Sequence, residues 1–151
     1  EVMRALVQRV SEGAVVIASE DYSETIKKGL VVLLGVKEGD TDEDVIFVAD
    51  KCCNLRIFED ENNKMNRSII EINGEMLIIS QFTLYGDARK GNRPSFTNAA
   101  APEQAENLYR KFIDRVKGNL GDEKVKAGIF AAMMQVRIVN EGPVTIMIES
   151  K

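Results

Sequence analysis

The sequence predicts an α+β fold in a single domain spanning residues 3–150, and three observations predict it. Several short segments rich in Val, Ile and Leu read as strands. Two longer segments carry apolar residues at the three-and-four spacing of an amphipathic helix. No repeat, low-complexity tract or linker divides the 151 residues, a length that suits one domain around one sizeable core.

Residues 3–10 (MRALVQRV) and 14–18 (AVVIA) read as two strands. Residues 30–36 (LVVLLGV) form an apolar run with β-branched content, the pattern of a strand buried on both faces. In the following G-D-T-D-E-D, Thr41 or Asp40 caps a helix whose positive end carries Asp42, Glu43 and Asp44. Val45, Ile46, Ala49, Cys52 and Cys53 give this helix an apolar face. Residues 58–64 (FEDENNK) are polar and turn-like. The spacing and central glycine of an EF-hand are missing, so a solvated loop is expected there and not a calcium site. Residues 75–84 (EMLIISQFTL) read as a strand with a polar end, and residues 86–98 as a loop. Pro102 suits the first turn of a helix, and Ala105, Leu108, Tyr109, Phe112, Ile113 and Val116 keep the helical rhythm over 102–117 before G-N-L-G-D ends it.

Strands at 134–139 and 144–149 complete the domain and flank V-N-E-G-P-V-T at 139–145. That arrangement looks like a hairpin closed on unsuitable residues. Tight hairpins favour Asn-Gly or Asp-Gly, and proline brings no N–H to a ladder. The stretch reads either as a rigid turn or as the site of a cis Gly-Pro bond.

Composition removes several kinds of chemistry. The chain contains no histidine, so neither a Ser-His-Asp nor a Cys-His arrangement is available. Its two cysteines cannot supply four zinc ligands. Cys52 and Cys53 are adjacent, and at least one is expected in the core without a disulfide. No metal and no cofactor is expected. A hydrophobic content of 44% with 29% charged residues is ordinary for a soluble globular chain. No apolar stretch approaches the roughly 20 residues that span a bilayer, and the start lacks the pattern of an export signal, so no membrane association and a cytoplasmic location are expected. Glu1 and Val2 precede a methionine, as residues left by processing or cloning would. A net charge of −4 weighs against a general nucleic-acid binder but leaves room for a local basic patch.

Two stretches offer chemistry. Gly86-Asp-Ala-Arg-Lys-Gly91-Asn92-Arg93 lacks the Lys-Ser/Thr ending of a P-loop. It leaves Arg89, Lys90 and Arg93 close together, either as phosphate contacts or as solvated surface. Ser80, Gln81, Phe82 and Thr83 sit where an apolar strand ends, a place where a fixed backbone can present polar groups.

S-Q-F-T-L at 80–84 and N-E-G-P-V-T at 140–145 resemble the two signature motifs of the D-aminoacyl-tRNA deacylases, SQFTL and NxGPVT. The resemblance extends over MRALVQRV (3–10), GLVVLLGV (29–36), NLRIFED (54–60), KMN (64–66), RKGNRPSF (89–96) and PEQAENLY (102–109). One position departs from it: Met133 stands before Met134 where the family pattern leads one to expect Asp.

The resemblance implies a barrel-like mixed sheet with two main helices, assembled as a homodimer with its active site at the subunit interface. It implies hydrolysis of the ester between a D-amino acid and the 3′-terminal adenosine of tRNA, removal of glycine mischarged on tRNA-Ala, and sparing of L-aminoacyl-tRNA. An aminoacyl ester is already activated, so holding the carbonyl, stabilising the oxyanion and placing a water suffice. The catalytic residues implied are Ser80, Gln81, Phe82 and Thr83, with the N–H groups of Phe82 and Ala105 on the ester carbonyl or the adenosine. Thr83 is either a nucleophile or, preferably, a positioning group beside a ribose 2′-hydroxyl that assists water. Gly142 and Pro143, through a cis bond, would exclude an L side chain from the neighbouring subunit's site. Asn140 belongs to the same substrate-side motif and Arg9 steadies the loop; given such a substrate, the clustering of Arg89, Lys90 and Arg93, and not the resemblance, suggests them as contacts to tRNA phosphates. Two other readings remain open: a related proofreader with a trans Gly-Pro bond and a wider pocket, and a binding module for tRNA ends that does not turn over.

Overall fold

The computed structural model describes residues 2–150. Eight strands and two α-helices follow in the order β1 (Arg4–Ile17), β2 (Tyr22–Ile26), β3 (Gly29–Gly35), α1 (Asp42–Asn54), β4 (Phe58–Glu59), β5 (Met65–Arg67), β6 (Glu75–Ser80), α2 (Pro102–Leu120), β7 (Val125–Ala127) and β8 (Gln135–Glu149). The reading of Glu1 as a leftover lies outside the described residues. Val2 is buried, and its carbonyl accepts from the Tyr85 hydroxyl.

β1 organises the main sheet. Along one edge it pairs antiparallel with β3 through residues 4–10 and then with β2 through residues 13–17; along the other it pairs with β8. β3, β6 and β7 continue the sheet in parallel. Parallel neighbours need crossovers, and α1 and α2 lie in them. The sheet curls until β2 nears β7, where the Tyr22 hydroxyl donates to the Ala127 carbonyl at 2.6 Å and Lys126 lies 4.0 Å from Glu24. The result is a nearly closed, barrel-like mixed sheet.

Period-two alternation sorts the strand residues into two cores. Leu30, Val32 and Leu34 of β3 and Met76 and Ile78 of β6 face the helices and meet Val45, Val48, Cys52, Leu108, Phe112 and Val116. Val31, Leu77 and Ile79 point the other way, into the curl, with Val10, Val15, Ile17 and Ile26. This two-sided burial explains why β3 and β6 read as unbroken apolar runs.

Helix α1 is capped by Thr41, whose backbone N–H donates to the Asp44 carboxylate at 2.8 Å. Asp40 accepts from the Lys37 N–H instead. Its buried face is Val45, Val48, Ala49, Cys52 and Cys53. Ile46, expected on that face, is 43% exposed, because Val48 completes the i, i+3, i+4, i+7 stripe and Ile46 falls beside it. α2 starts at Pro102, as expected, and runs to Leu120. Burial pushes both cysteine thiols up, Cys53 to about 11, and neither forms a disulfide. In the polar turn after β4, the Asp60 carboxylate accepts from the N–H groups of Asn62 and Lys64 at 2.8 and 3.0 Å, so the turn uses it as a cap.

Three expectations change. The segments 3–10 and 14–18 are one strand. The segment 75–84 stops being a strand at Ser80, since its partner β3 ends at Gly35; residues 82–85 turn into a 3-10 helix, with Gly86 N–H donating to the Thr83 carbonyl at 2.9 Å. The segments 134–139 and 144–149 do not form a hairpin. Both pair with β1 as parts of β8, and the register passes from Gln8↔Thr145 to Val10↔Asn140. Residues 141–144 therefore bulge opposite the single residue Arg9. The sequence predicts a hairpin because V-N-E-G-P-V-T looks like a turn locally. Pairing with a common neighbour far away in sequence keeps the strand going in one direction.

Candidate active site

The sheet leaves an opening where β6 ends. A cavity of about 500 Å³ lies there, lined by Ser80, Phe82, Phe96, Ala100, Ala105 and Phe130 among others, a volume suited to a small organic group. Its walls come from the turn after β6, the first turn of α2 and the segment after β7. Phe82 is 57% exposed and packs edge-on against Phe96, with ring centroids 5.1 Å apart. The Tyr109 hydroxyl lies 2.9 Å from the Ile78 carbonyl and 2.7 Å from the Gly128 carbonyl, which ties the segment carrying Phe130 to the end of β6.

Gln81 continues the ladder by one bond, its N–H donating to the Leu34 carbonyl at 2.8 Å. Its side-chain amide donates to the Thr83 hydroxyl oxygen at 2.9 Å. An amide N–H gives a hydrogen bond and takes no proton, so this contact leaves the Thr83 hydroxyl hydrogen free to donate and supplies no base to activate it as a nucleophile.

The start of α2 supplies the other polar feature. Pro102 has no N–H, and the Ala105 N–H already donates to the Ala101 carbonyl at 2.9 Å. The resemblance implies that Ala105 offers that N–H to a ligand. The helix ladder takes it, and the first-turn N–H groups that an α-helix leaves without internal acceptors belong to Glu103 and Gln104. Ala105 serves as a small, buried wall.

The second signature lies elsewhere in the chain. The Gly142–Pro143 bond is cis, and Gly142 has φ of +142°. Arg9 is buried beneath this bulge, with Nε donating to the Glu141 carbonyl at 2.9 Å and Nη1 to the Ile57 carbonyl at 2.7 Å. Asn140 clamps the bulge from both ends of its amide. Its Oδ1 accepts from the Val144 N–H at 2.8 Å, and its Nδ2 donates to the Val144 carbonyl and the Thr145 hydroxyl, both at 3.1 Å. The bulge is thus held on the side toward the protein, while Gly142 and Pro143 themselves stay exposed.

Within one chain the two signatures do not meet. Ser80 aligns across the sheet with Leu34, Ala5 and Ile148, whereas the bulge aligns with Arg9, Leu30 and Met76. Strand spacing and rise put them on the order of 15–20 Å apart. Between them, Ile79, Leu33, Leu6 and Met147 stand directly opposite one another on β6, β3, β1 and β8. This apolar row runs from the strand end at Ser80 to β8, where Met147 is 46% exposed.

Arg89, Lys90 and Arg93 are all exposed on a loop pinned by paired backbone bonds between Asp87 and Ser95. Met133 is 87% exposed between the lining residues Ala132 and Met134, so the departure from Asp affects the surface beside the cavity and not its packing. Phe96, Phe130 and Tyr109 were not singled out from the sequence as site residues. Phe96 and Phe130 had a signal, each being an isolated aromatic in a segment without strand or helix pattern. Among the described residues no cluster of three or more His, Cys, Asp or Glu side chains is placed to hold a metal ion, and no helix is long and apolar enough to cross a membrane.

Comparison with known proteins finds close similarity along nearly the whole chain. A family model described as D-Tyr-tRNA(Tyr) deacylase matches residues 6–149. A D-aminoacyl-tRNA deacylase of Halothermothrix orenii is 54% identical over 148 residues, covering 98% of this chain and 97% of the relative. One of Thermotoga petrophila is 55% identical over 150 residues, covering 98% and 97%. A solved structure described as a c-Myc DNA unwinding element binding protein superimposes with a TM-score of 0.91 at 40% identity, covering 98% of this chain and 99% of that one.

Proposed function

The chain belongs to the D-Tyr-tRNA(Tyr) deacylase family and is an enzyme that hydrolyses the ester of D-aminoacyl-tRNA, and from that premise we propose that it works as a homodimer whose active site is completed across the interface. The observation that carries this reading is the separation of the two signature motifs in one chain. A second copy brings the Gly142-Pro143 bulge of one subunit to residues 80–83 of the other, and the half-buried Leu33 and Leu6 with the exposed Met147 supply apolar surface for the contact.

The terminal adenosine and its ester enter the cavity beside Ser80. The Phe82 N–H and the first-turn N–H groups of α2 face the ester carbonyl and stabilise the oxyanion. Ser80 and Gln81 support the adenosine, and Thr83 donates its hydroxyl hydrogen to the substrate. A water oxygen adds to the carbonyl, the bond to the ribose 3′-oxygen breaks, and that oxygen takes up a proton with help from the adjacent 2′-hydroxyl. The D-amino acid leaves as its carboxylate. No histidine, metal or cofactor takes part in this scheme.

Main-chain carbonyls of the bulge accept from the substrate's α-ammonium and crowd an L side chain. Backbone suits this task because it cannot rotate away as a side chain would. Glycine has no side chain to reject, so glycine mischarged on tRNA-Ala is also cleared. We place this proofreading in the cytoplasm, where aminoacyl-tRNA is consumed.

The direct test incubates the enzyme with matched D-tyrosyl-tRNA, L-tyrosyl-tRNA and glycyl-tRNA-Ala. D-tyrosyl- and glycyl-tRNA are expected to be cleared while L-tyrosyl-tRNA persists; comparable loss of the D and L substrates would sink the chiral reading. Thr83→Ala is expected to lower single-turnover deacylation by about tenfold or less. Loss of a true nucleophile costs several orders of magnitude, and such a loss with substrate binding retained would restore that role to Thr83.

A further inference from the structure

Next to the apolar cavity lies a second, polar one of about 620 Å³, lined by Arg4, Lys37, Tyr85, Asp87, Arg89 and Asn98 among others. Gly86 on the polar side backs onto Phe96 on the apolar side, where an added Cβ would lie 3.1 Å from the ring. Phe82, Phe96 and Ala99 border the apolar side, and Tyr85, Gly86 and Asn98 border the polar side. The lining of the polar cavity holds three cationic side chains and one carboxylate, with Arg4 paired to Glu149 and Arg89 to Asp87, so what it offers a ligand is donors more than net positive charge.

Two of the cations are held in place without exhausting their donors. Arg89 grips Asp87 with Nε at 2.9 Å and Nη2 at 2.7 Å, a two-bond fork. A guanidinium has five N–H groups, so three remain on a side chain that is 87% exposed. The same fork holds the Asp87 carboxyl down to about 2, so it stays ionised and keeps Arg89 fixed. Arg4 donates through Nε to Glu149 at 2.7 Å and through Nη1 to the Leu84 carbonyl at 3.1 Å, and it lies 5.0 Å over the Tyr85 ring. It too keeps N–H groups to spare.

A polynucleotide whose terminal adenosine fills the apolar cavity must leave through the phosphate on its ribose 5′-oxygen. The adjoining space into which Arg4 and Arg89 keep spare donors is the polar cavity. We propose that this cavity binds the phosphodiester that joins the terminal adenosine to the rest of a single-stranded RNA 3′ end, with Arg89, Lys37 and Arg4 as its donors. The proposal rests on the deacylase reading of the neighbouring cavity. It gives the acidic protein a local grip on RNA at the phosphate nearest the ester, which every aminoacyl-tRNA presents in the same place.

The test compares two non-hydrolysable ligands by calorimetry on the intact protein. One is 3′-D-tyrosylamido-3′-deoxyadenosine with a free 5′-hydroxyl; the other carries a 5′-methyl phosphodiester on the same nucleoside. The phosphodiester is expected to tighten binding roughly tenfold at about 50 mM salt, with the gain shrinking toward about 200 mM as for other phosphate contacts. In Arg89→Glu the gain is expected to fall to about twofold or less. Lys37→Glu should act likewise from a different segment, which separates loss of a phosphate contact from damage to the 86–98 loop. Equal affinity of the wild type for both ligands, or a gain that survives in both variants, would overturn the proposal while leaving the deacylase reading intact. If neither ligand binds the wild type, the deacylase reading of the apolar cavity falls, and the phosphate site with it.

Discussion

Arg9→Ala is expected to cost about 2–4 kcal/mol of stability and to lower kcat/KM on D-tyrosyl-tRNA by about a hundredfold at temperatures where the variant stays folded. Arg9 is only 7% exposed, and its guanidinium bridges two carbonyls from separate parts of the chain, Glu141 at 2.9 Å and Ile57 at 2.7 Å. Hydrogen bonds from a charged donor are worth about 1.5–3 kcal/mol each, and buried acceptors left without partners add a desolvation cost. The activity loss has a separate origin. The bulge of residues 141–144 faces Arg9 alone across the ladder, so truncating that side chain removes the strut under Gly142 and Pro143. Arg9→Lys keeps the charge but replaces a planar fork with a single ammonium. It is expected to recover part of the stability and little of the activity. Urea unfolding and steady-state deacylation separate the two effects. If Arg9→Ala were destabilised yet kept wild-type kcat/KM, Arg9 would be a structural residue only.

What the sequence disclosed depended on how local each determinant is. β3, β6 and both helices are set by patterns complete within a dozen or so residues: two-sided apolar runs, the α2 stripe from Ala105 to Val116, the cap at Thr41 and the first-turn Pro102. β7, with three residues, and β4, with two, are too short to carry a period, and their pairing comes from neighbours far away in the chain. β8 failed for the opposite reason. Its local chemistry pointed to a turn, while its pairing with β1 on both sides of the bulge made it one strand. The site divides in the same way. Residues 80–83 and Gly142-Pro143 were legible as short motifs. The contact of Arg9 with Glu141 spans 132 positions and has no local signature, so only the resemblance suggested it. The occupied N–H of Ala105 was not legible either, because a one-residue difference in where a helix starts decides which amide is free.

Gly142→Ala is expected to reduce kcat/KM on D-tyrosyl-tRNA by roughly tenfold to a hundredfold and to narrow the preference for D over L substrate, with a stability loss of only about 1–3 kcal/mol. Gly142 has φ of +142°, in a region that L residues with a side chain rarely adopt. A Cβ placed there would lie 2.8 Å from Val144 Cγ2 and 2.9 Å from the Val144 backbone nitrogen. The valine methyl belongs to a side chain that can turn, but the nitrogen is fixed, since its N–H donates to Asn140 Oδ1 at 2.8 Å. The backbone at 142 must therefore move, and with it the main-chain atoms assigned to hold the α-ammonium and exclude the L side chain. Because Gly142 and Pro143 are exposed while Arg9 and Asn140 anchor their flanks, the disturbance stays local and the global fold loses little. Both substrate arms are needed to read the result. Loss of D activity alone would mean that the bulge only binds substrate. Loss of D activity together with new hydrolysis of L-tyrosyl-tRNA would mean that it also discriminates, because a displaced wall both loosens its hold on the right enantiomer and opens space for the wrong one. Glycyl-tRNA, which has no side chain to exclude, is expected to suffer only the loss of grip. Wild-type rates of the Gly142→Ala protein on all three substrates would place chiral selection elsewhere in the molecule.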